Sequence, residues 1–246
     1  MRVAALYDIH GNLPALEAVL EEIQRAGVDQ IVVGGDVVPG PMPRETLARL
    51  LEVDLPIQFI YGNGEVAVLD EMAGKVPRVP PQFRDVIRWN AQQLADYKQS
   101  VASWPKTVGL HIPELGDLLF CHATPQNEND IFTKLTPEER LLPIFKNIDA
   151  AVVVCGHTHM QFDRMIGPTR VVNAGSVGMP FREPGADWLL LGEDIQLRRT
   201  DYDLPKAAER IRGTNYPQAN EFADRNILQP PSEAEMLEMF VKAELR

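Results

Sequence analysis

The chain has 246 residues, of which 45% are hydrophobic and 24% charged; these values exclude a disordered or fibrous chain and predict one globular domain over residues 1–246. Its formal net charge is −11, which argues against bulk binding to nucleic acid or to an anionic membrane surface, because no basic field neutralises the phosphates. With two cysteines, no signal peptide and no membrane-spanning run, the sequence predicts a cytoplasmic protein.

The first motif follows the first predicted strand. Residues 3–7 are an apolar run typical of a buried strand, and Asp8-Ile9-His10-Gly11-Asn12 comes directly after it. Residues 13–25 then carry apolar side chains at helical spacing, with Asn12 in the N-cap position. Asp8 and His10 are therefore expected on a loop that leaves a strand, where α/β folds bind their ligands.

Two more predicted strands lead into polar residues in the same way. Residues 30–34 run into Gly35-Asp36, and residues 57–61 run into Gly62-Asn63. A predicted helix within residues 44–51 separates these strands, and its expected buried face is Leu47, Leu50 and Leu51. This βαβαβ alternation predicts a largely parallel sheet, with the polar loops along one edge.

Later strands are predicted to deliver histidines. A hairpin over residues 107–121 leads into His122, and a buried strand over residues 150–155 leads into His157 and His159. Between them, Thr136 is predicted to open a helix with a capping box. The remaining strands are predicted at residues 162–166, 171–172, 188–191 and 195–200.

Two regions are predicted to be helical: an insert over about residues 66–106 and a C-terminal extension over about residues 201–246. The last helix opens with a capping box from Ser232 to Glu235. Its apolar face consists of Met236, Leu237, Phe240 and Val241. We expect this face to dock on the core, with a contact in a homo-oligomer as the alternative.

Metal-ligand types collect at the ends of the predicted strands. Four of the five histidines lie there, together with Asp8, Asp36 and Asn63. Each residue alone favours a hydrogen-bonded structural role, but gathering all seven without a cation would cost on the order of several kcal/mol. The pattern therefore predicts a metal centre. Its oxygen and imidazole ligands suit manganese, iron, zinc, cobalt or nickel.

The order of these motifs resembles the calcineurin-like metallophosphoesterases, and most of all their small bacterial and archaeal phosphodiesterase branch. The matching motifs are Asp8-x-His10-Gly-Asn12, Gly35-Asp36, Gly62-Asn63, His122, Gly156-His157-Thr158-His159 and Asn173-Ala-Gly-Ser176-Val-Gly178. The resemblance implies an α/β fold, a four-layer α-β-β-α sandwich with two divalent metal ions at the strand ends.

The resemblance also implies a role for individual residues. For the first ion, the implied ligands are Asp8, His10 and His159; for the second, Asn63, His122 and His157; Asp36 bridges both. Asp36, Asn63 and His122 are the implied catalytic residues, and manganese is the first choice of metal.

Substrate contacts are predicted for Asn12, Asn63 and Arg182. Arg182 follows the Ser176 turn and is close enough in sequence to reach a substrate phosphate, with an exposed loop arginine as the alternative. For Asn12 the alternative is a helix cap and no more.

The implied activity is hydrolysis of a small phosphate diester by a metal-bridging hydroxide. Many relatives have a histidine after the Gly-Asn of the third motif, where it acts as a general acid, but here that residue is Gly64. Loss of this acid favours activated or cyclic diesters over esters with poor leaving groups. The alternatives are a phosphomonoesterase of the nucleotidase or protein phosphatase type, and a non-catalytic, metal-bound scaffold.

Overall fold

The computed structural model describes residues 1–244 of the chain, and within them ten strands form two five-stranded sheets. The strands are β1 (Val3–Leu6), β2 (Gln30–Val33), β3 (Ile57–Phe59), β4 (Thr107–Ile112), β5 (Gly116–Cys121), β6 (Val152–Cys155), β7 (Phe162–Ile166), β8 (Thr169–Asn173), β9 (Ala186–Leu191) and β10 (Ile195–Thr200). All the predicted strands are confirmed, with ends that differ by a few residues.

The α-helices of the same residues surround the sheets. They are α1 (Leu13–Ala26), α2 (Pro43–Leu51), α3 (Asn63–Met72), α4 (Arg84–Gln93), α5 (Lys98–Ala102), α6 (Glu138–Phe145), α7 (Leu204–Arg212), α8 (Ala219–Phe222) and α9 (Glu233–Ala243). No helix described over residues 1–244 is both long and apolar enough to cross a membrane.

Each sheet contains three parallel strands. The first sheet has the order β10-β9-β1-β2-β3, with β1, β2 and β3 parallel. The second has the order β4-β5-β6-β8-β7, with β5, β6 and β8 parallel. Because the loops after parallel strands lie on the same edge of a sheet, both sheets present several loops at one edge.

The two sheets pack face to face and their outer faces are covered by helices. Alternate residues of β1 point to opposite faces: Val3 and Ala5 join the apolar layer between the sheets, whereas Ala4 and Leu6 join the layer beneath α1. On the far side, α6 covers the second sheet through Phe145. This arrangement confirms the four-layer α-β-β-α sandwich.

Helix α1 begins and ends as the sequence predicted. The Asn12 side-chain oxygen accepts a hydrogen bond from the Ala15 N–H (3.2 Å), and Pro14 lies in the first turn, where its missing N–H costs nothing. Gly27 ends the helix at φ 63°, a left-handed conformation that glycine adopts without strain. The helix therefore holds the loop that carries Asp8 and His10 at its N-terminus.

The local predictions for Leu51 and Thr136 were wrong. Leu51 is 53% exposed, because α2 begins at Pro43 and its buried face turns with the helical period through Leu47 and Leu50. Thr136 makes no capping box: its hydroxyl accepts the Thr133 N–H and donates to Glu244 instead. A buried carboxylate distant in sequence thus takes the hydroxyl that local reasoning gave to the helix.

The helical region after β3 starts earlier than predicted, since α3 begins at Asn63. Within the predicted helical insert, α4 is followed by a short 3₁₀ turn before α5. Ile87 and Val101 from this region pack into the core beneath the first sheet. These helices therefore hold the loop after β3 from the outside.

The last helix docks on the core as expected. Its Met236 is buried against Met160 and Phe181, and the predicted Ser232–Glu235 capping box is present. Val241, which was assigned to the docked face, is 53% exposed. The contact brings the C-terminal region against the loop that precedes β9.

A buried tyrosine ring separates the two sheets beneath the loops. Tyr7 is fully buried and its hydroxyl donates to the Val154 carbonyl oxygen (3.0 Å). A Cβ atom added at Gly34 would lie 2.0 Å from this ring, and one added at Gly156 would lie 2.5 Å from it. The glycines thus let the loops after β2 and β6 approach each other across Tyr7.

We expect Gly34→Ala to lower the free energy of unfolding of the metal-free protein by about 1–3 kcal/mol, because the Tyr7 ring has to move to admit the methyl group. Gly109→Ala is the control, since its Cβ would have the Leu118 oxygen as nearest neighbour at 3.8 Å. Urea unfolding curves of both variants measure the difference. Equal midpoints for the two variants would show that the ring does not fill this space.

Candidate metal centre

The loops after the parallel strands bring the predicted ligands to one edge of the sandwich. Asp8 and His10 follow β1, Asp36 follows β2 and Asn63 begins α3 after β3. From the second sheet, the loops after β5 and β6 carry the three remaining histidines: His122, His157 and His159. Carboxylates from one sheet thus face imidazoles from the other.

Three histidine rings are oriented by backbone carbonyls. The Nδ1 atoms of His10, His122 and His159 lie 3.1, 2.9 and 2.9 Å from the carbonyl oxygens of Pro39, Gly34 and Met179. A carbonyl can only accept, so each Nδ1 carries a proton, and in the neutral ring the lone pair is on Nε2. This tautomer is the one that binds a metal through Nε2.

The three Nε2 atoms converge on one carboxylate oxygen. Asp8 Oδ1 lies 3.8 Å from His10 Nε2, 3.8 Å from His122 Nε2 and 3.3 Å from His159 Nε2. This oxygen is buried and has no hydrogen-bond partner among residues 1–244, and His10 Nε2 lies only 3.2 Å from His159 Nε2. A cation between these facing atoms would satisfy them together.

Two overlapping groups of side chains have the spacing of a metal site. Asp8, His10 and His159 offer ligand atoms within 4.8 Å of one another, and so do Asp8, Asp36 and His122. The residues present therefore fit divalent metal ions, with nitrogen and oxygen ligands and no thiolate.

At His159 the nearby Asp8 carboxylate outweighs burial and raises the pKa of the imidazole, whereas burial favours the neutral form of His10 and His157. It lowers the pKa of His10 and of His157 to about 3, with repulsion from His159 and His122 respectively as the next cause. For Asp36, burial raises the pKa well above the ordinary value, and the nearby charge of Asp8 raises it further. A bound cation would favour the ionised form of Asp36 and the neutral form of the imidazoles, because it supplies positive charge beside the two buried carboxylates.

The backbone at the ligands is strained. Asp8, His10, Asp36, His157 and His159 all have positive φ, between 49° and 67°. Residues with a side chain rarely adopt this left-handed region, and each instance costs on the order of 1–3 kcal/mol. Such strain clusters at functional sites, where the surrounding structure enforces it.

Comparison with known proteins agrees with this geometry. The family model of the calcineurin-like phosphoesterase superfamily domain matches residues 1–192. The chain belongs to the calcineurin-like phosphoesterase superfamily. It is therefore a hydrolase of phosphate esters in a family that depends on metal ions, and the scaffold alternative is not supported.

Relatives of this phosphoesterase include a named enzyme. Phosphodiesterase YfcE of Escherichia coli is 28% identical over 207 residues, which cover 79% of this chain and 89% of YfcE. An uncharacterized protein from Methanocaldococcus jannaschii is 26% identical over 237 residues, covering 88% of this chain and 94% of that protein.

Solved structures share the fold of the phosphoesterase. A metallophosphoesterase from Sphaerobacter thermophilus superposes with a TM-score of 0.73 at 24% identity, covering 91% of this chain and 97% of that chain. A hypothetical protein from Pyrococcus horikoshii superposes with a TM-score of 0.77 at 19% identity, covering 94% and 99%.

The predicted ligands differ in how closely the phosphoesterase structure gathers them. Asn63 Oδ1 lies 3.1 Å from His122 Nε2, which belongs to the second group. His157 is half-buried, and its ring packs edge-on against that of His122 with centroids 5.2 Å apart. The backbone N–H of His157 donates to Asp8 Oδ2 (2.8 Å), so its loop is tied to the first motif.

The structure gives other surroundings to the two side chains predicted to touch only substrate. Asn12 is fully buried, and its amide nitrogen donates to the Gly178 oxygen (2.9 Å) and the Tyr202 hydroxyl (3.3 Å), which supports the helix cap rather than a substrate contact. Arg182 is exposed at φ 99° and lines a cavity of about 310 Å³ with Asp187 and Arg199. Its contact with a substrate phosphate stays a prediction.

Three supporting residues received no role from the sequence. The Asn173 amide donates to the backbone carbonyl oxygen of Gly156 (2.7 Å), and the Ser176 hydroxyl donates to the backbone carbonyl oxygen of Asp8 (2.7 Å). Both side chains therefore hold loops that carry ligands. Glu65 is fully buried and accepts three backbone N–H groups. The available signal for Glu65 was its position three residues after Gly62, the N-cap of α3.

Mn²⁺ added to the chelated protein is expected to raise Tm by roughly 5–10 °C at a free concentration 100 times Kd, because the ion binds the native state alone. His10→Ala should abolish most of this increase in Tm, since one Nε2 ligand is lost. His111→Ala is the control: His111 is exposed and paired with Asp117 (2.7 Å), away from both groups. Differential scanning calorimetry measures the shifts, and an equal shift in both variants would remove His10 from the site.

Proposed function

We propose that the chain is a phosphodiesterase that works with two divalent metal ions. The observation that carries this proposal is the position of Asp36, whose two carboxylate oxygens face different histidines. Its Oδ2 lies 3.7 Å from His10 Nε2, and its Oδ1 lies 3.5 Å from His122 Nε2. One oxygen toward each group is what a ligand shared by two ions requires.

The proposed ligand sets follow from this arrangement. Asp8, His10 and His159 would hold one ion, Asn63, His122 and His157 the other, with Asp36 shared. The spacing of Asn63 and His122 supports the second set. The two ions together would compensate the buried Asp8 oxygen that otherwise has only acceptors around it.

Divalent ions, when bound, stabilise the negative charge that develops on a phosphoryl group and make water a better nucleophile. The chain's part is orientation. His122 keeps its Nε2 lone pair directed inward because Nδ1 donates to the Gly34 oxygen. Asp36 and Asn63 lie beside it, and the burial of Asp36 keeps bulk water from weakening these electrostatic interactions.

The preference for diesters is supported by the residue at the third motif. A Cβ atom at Gly64 would lie 2.1 Å from the Val38 oxygen and 2.7 Å from Pro39 Cδ, so the backbone leaves no room for a side chain there. A positioned general acid contributes roughly 10²–10⁴-fold to rate, and substrates with good leaving groups need it least. The relation to Phosphodiesterase YfcE supports the same substrate class.

Other parts of the proposal rest on chemistry alone. Manganese is the ion we place first, with iron, zinc, nickel and cobalt compatible with the same nitrogen and oxygen ligands. Cys121 and Cys155 are both free and buried, which fits the reducing conditions of a cytoplasm. The proposed partner is a small phosphate ester, and a homo-oligomer stays part of the proposal.

The test is hydrolysis of bis(p-nitrophenyl) phosphate and of p-nitrophenyl phosphate by the chelated protein, before and after Mn²⁺ is restored. We expect turnover of the diester that depends on Mn²⁺ and little turnover of the monoester, as the relation to Phosphodiesterase YfcE supports. A preference for the monoester would contradict the diester assignment and favour a phosphomonoesterase.

Asp36→Asn is the matched variant for this assay. It keeps the size of the side chain but removes the charge shared by both ligand groups, so we expect loss of hydrolysis together with loss of at least one bound ion per chain. Metal analysis of the dialysed variant gives the stoichiometry. Full metal content with full turnover would rule out Asp36 as the shared ligand.

A further inference from the structure

Glu65 lies in the first turn of α3, where its carboxylate is fully buried and bonded to backbone alone. Its Oε2 accepts the N–H of Asp36 (2.8 Å) and the N–H of Gly62 (2.7 Å), and its Oε1 accepts the N–H of Val38 (3.2 Å). Both oxygens are thus occupied by N–H donors, so Glu65 is not placed to bind an ion itself.

These hydrogen bonds take the place of backbone pairing between β2 and β3, which ends just before the two loops. The parallel register of β2 and β3 runs from Ile31 opposite Ile57 to Val33 opposite Phe59, and the last backbone bond along it joins the Ile60 N–H to the Val33 oxygen. Beyond that point the two loops diverge toward the metal groups. The Glu65 carboxylate bridges them there, with one oxygen shared by both loops.

Each of the bridged loops carries a proposed ligand. One contains Asp36, and the other leads from Gly62 into Asn63. A second bond, from the Gly64 N–H to Asp36 Oδ1 (2.6 Å), joins the same two loops. The distance between the shared carboxylate and the Asn63 amide therefore depends on the acceptor that lies between their backbones.

We propose that Glu65 is a positioning residue that sets the separation of Asp36 and Asn63 and thereby the affinity for the second metal ion. A carboxylate is required because three N–H donors converge on it. Glutamine at this position turns an NH₂ group toward at least one of these backbone N–H groups. That hydrogen bond is lost, and two donors then face each other. This inference rests on the proposed ligation by Asp36 and Asn63.

The experiment compares Glu65→Gln with Glu244→Gln. Glu244 is also a buried carboxylate, but its partners are Thr133, Thr136 and Arg140, none of which is a proposed ligand. Titration calorimetry of the chelated proteins with Mn²⁺ is expected to show 10–100-fold weaker binding of the second ion in Glu65→Gln and unchanged binding in Glu244→Gln, as for other groups that orient metal ligands.

A spectroscopic readout separates positioning from general stability. With Co²⁺ in place of Mn²⁺, the d–d absorption of Glu65→Gln should change in position or intensity, whereas that of Glu244→Gln should match the wild type. Unchanged affinity and an unchanged Co²⁺ spectrum in a folded Glu65→Gln protein would overturn the inference. If that variant does not fold, Glu65→Asp is used, which keeps the charge but shortens the reach; unchanged affinity there overturns the inference equally.

Asp36→Asn distinguishes this failure from failure of the proposed function. If Asp36→Asn loses an ion and Glu65→Gln does not, the shared ligand stands and only the positioning role falls. If Asp36→Asn keeps both ions, the ligation on which the inference rests has failed.

Discussion

The hydrogen bonds from three histidine Nδ1 atoms to backbone carbonyls decide what this site can be. They orient the rings of His10, His122 and His159 with Nε2 directed inward, because each Nδ1 donates its proton to a carbonyl oxygen. The inward atoms then face the buried carboxylates of Asp8 and Asp36. A set of acceptors without donors is electrostatically unfavourable by itself, and a cation is the simplest group that makes it favourable.

The rest of the fold holds these groups in place against that cost. The loops after β1 and β2 are joined by backbone bonds from the Asp8 N–H to the Gly35 oxygen and from the His10 N–H to the Asp36 oxygen. Asn173 and Ser176 fasten the loops from the second sheet. Beneath them, the Tyr7 ring fills the space left by glycines on both sides, so the loops rest on a well-packed core. Strained backbone at the ligands persists because each loop is held from several directions.

How much of this was predictable depends on the range of the interactions. The strands were predictable from their runs of apolar residues, and helix α1 from the spacing of its apolar residues and from the caps at Asn12 and Gly27. All of these are local signals. The ligand types were predictable because they follow the strands directly. The error at Thr136 came from Glu244, more than 100 residues away, which takes the hydroxyl assigned to a cap. The error at Leu51 arose because the buried face of α2 ends at Leu50.

Other features had no sequence signal of their own. Positive φ at Asp8 and Asp36 is imposed by bonds between loops of different strands, so propensity gives no warning of it. Glu65 resembles an ordinary helix-capping residue, and its bonds to Asp36 and Val38 emerge only when β2 and β3 lie side by side. Long-range contacts thus decided the parts of the site that local patterns left open.

Gly64 shows how one such contact bears on chemistry. The sequence shows only that the histidine of many relatives is absent at this position. In the structure, the backbone at Gly64 lies close to the backbone at Val38. The Gly64 N–H donates to Asp36 Oδ1, and the Val38 oxygen occupies the space of a Cβ. A side chain here would displace the carboxylate proposed to join both ions. Glycine at this position allows the backbone to hydrogen-bond the proposed shared ligand, Asp36, but it provides no general acid. The leaving group of the proposed substrate would therefore depart without that acid.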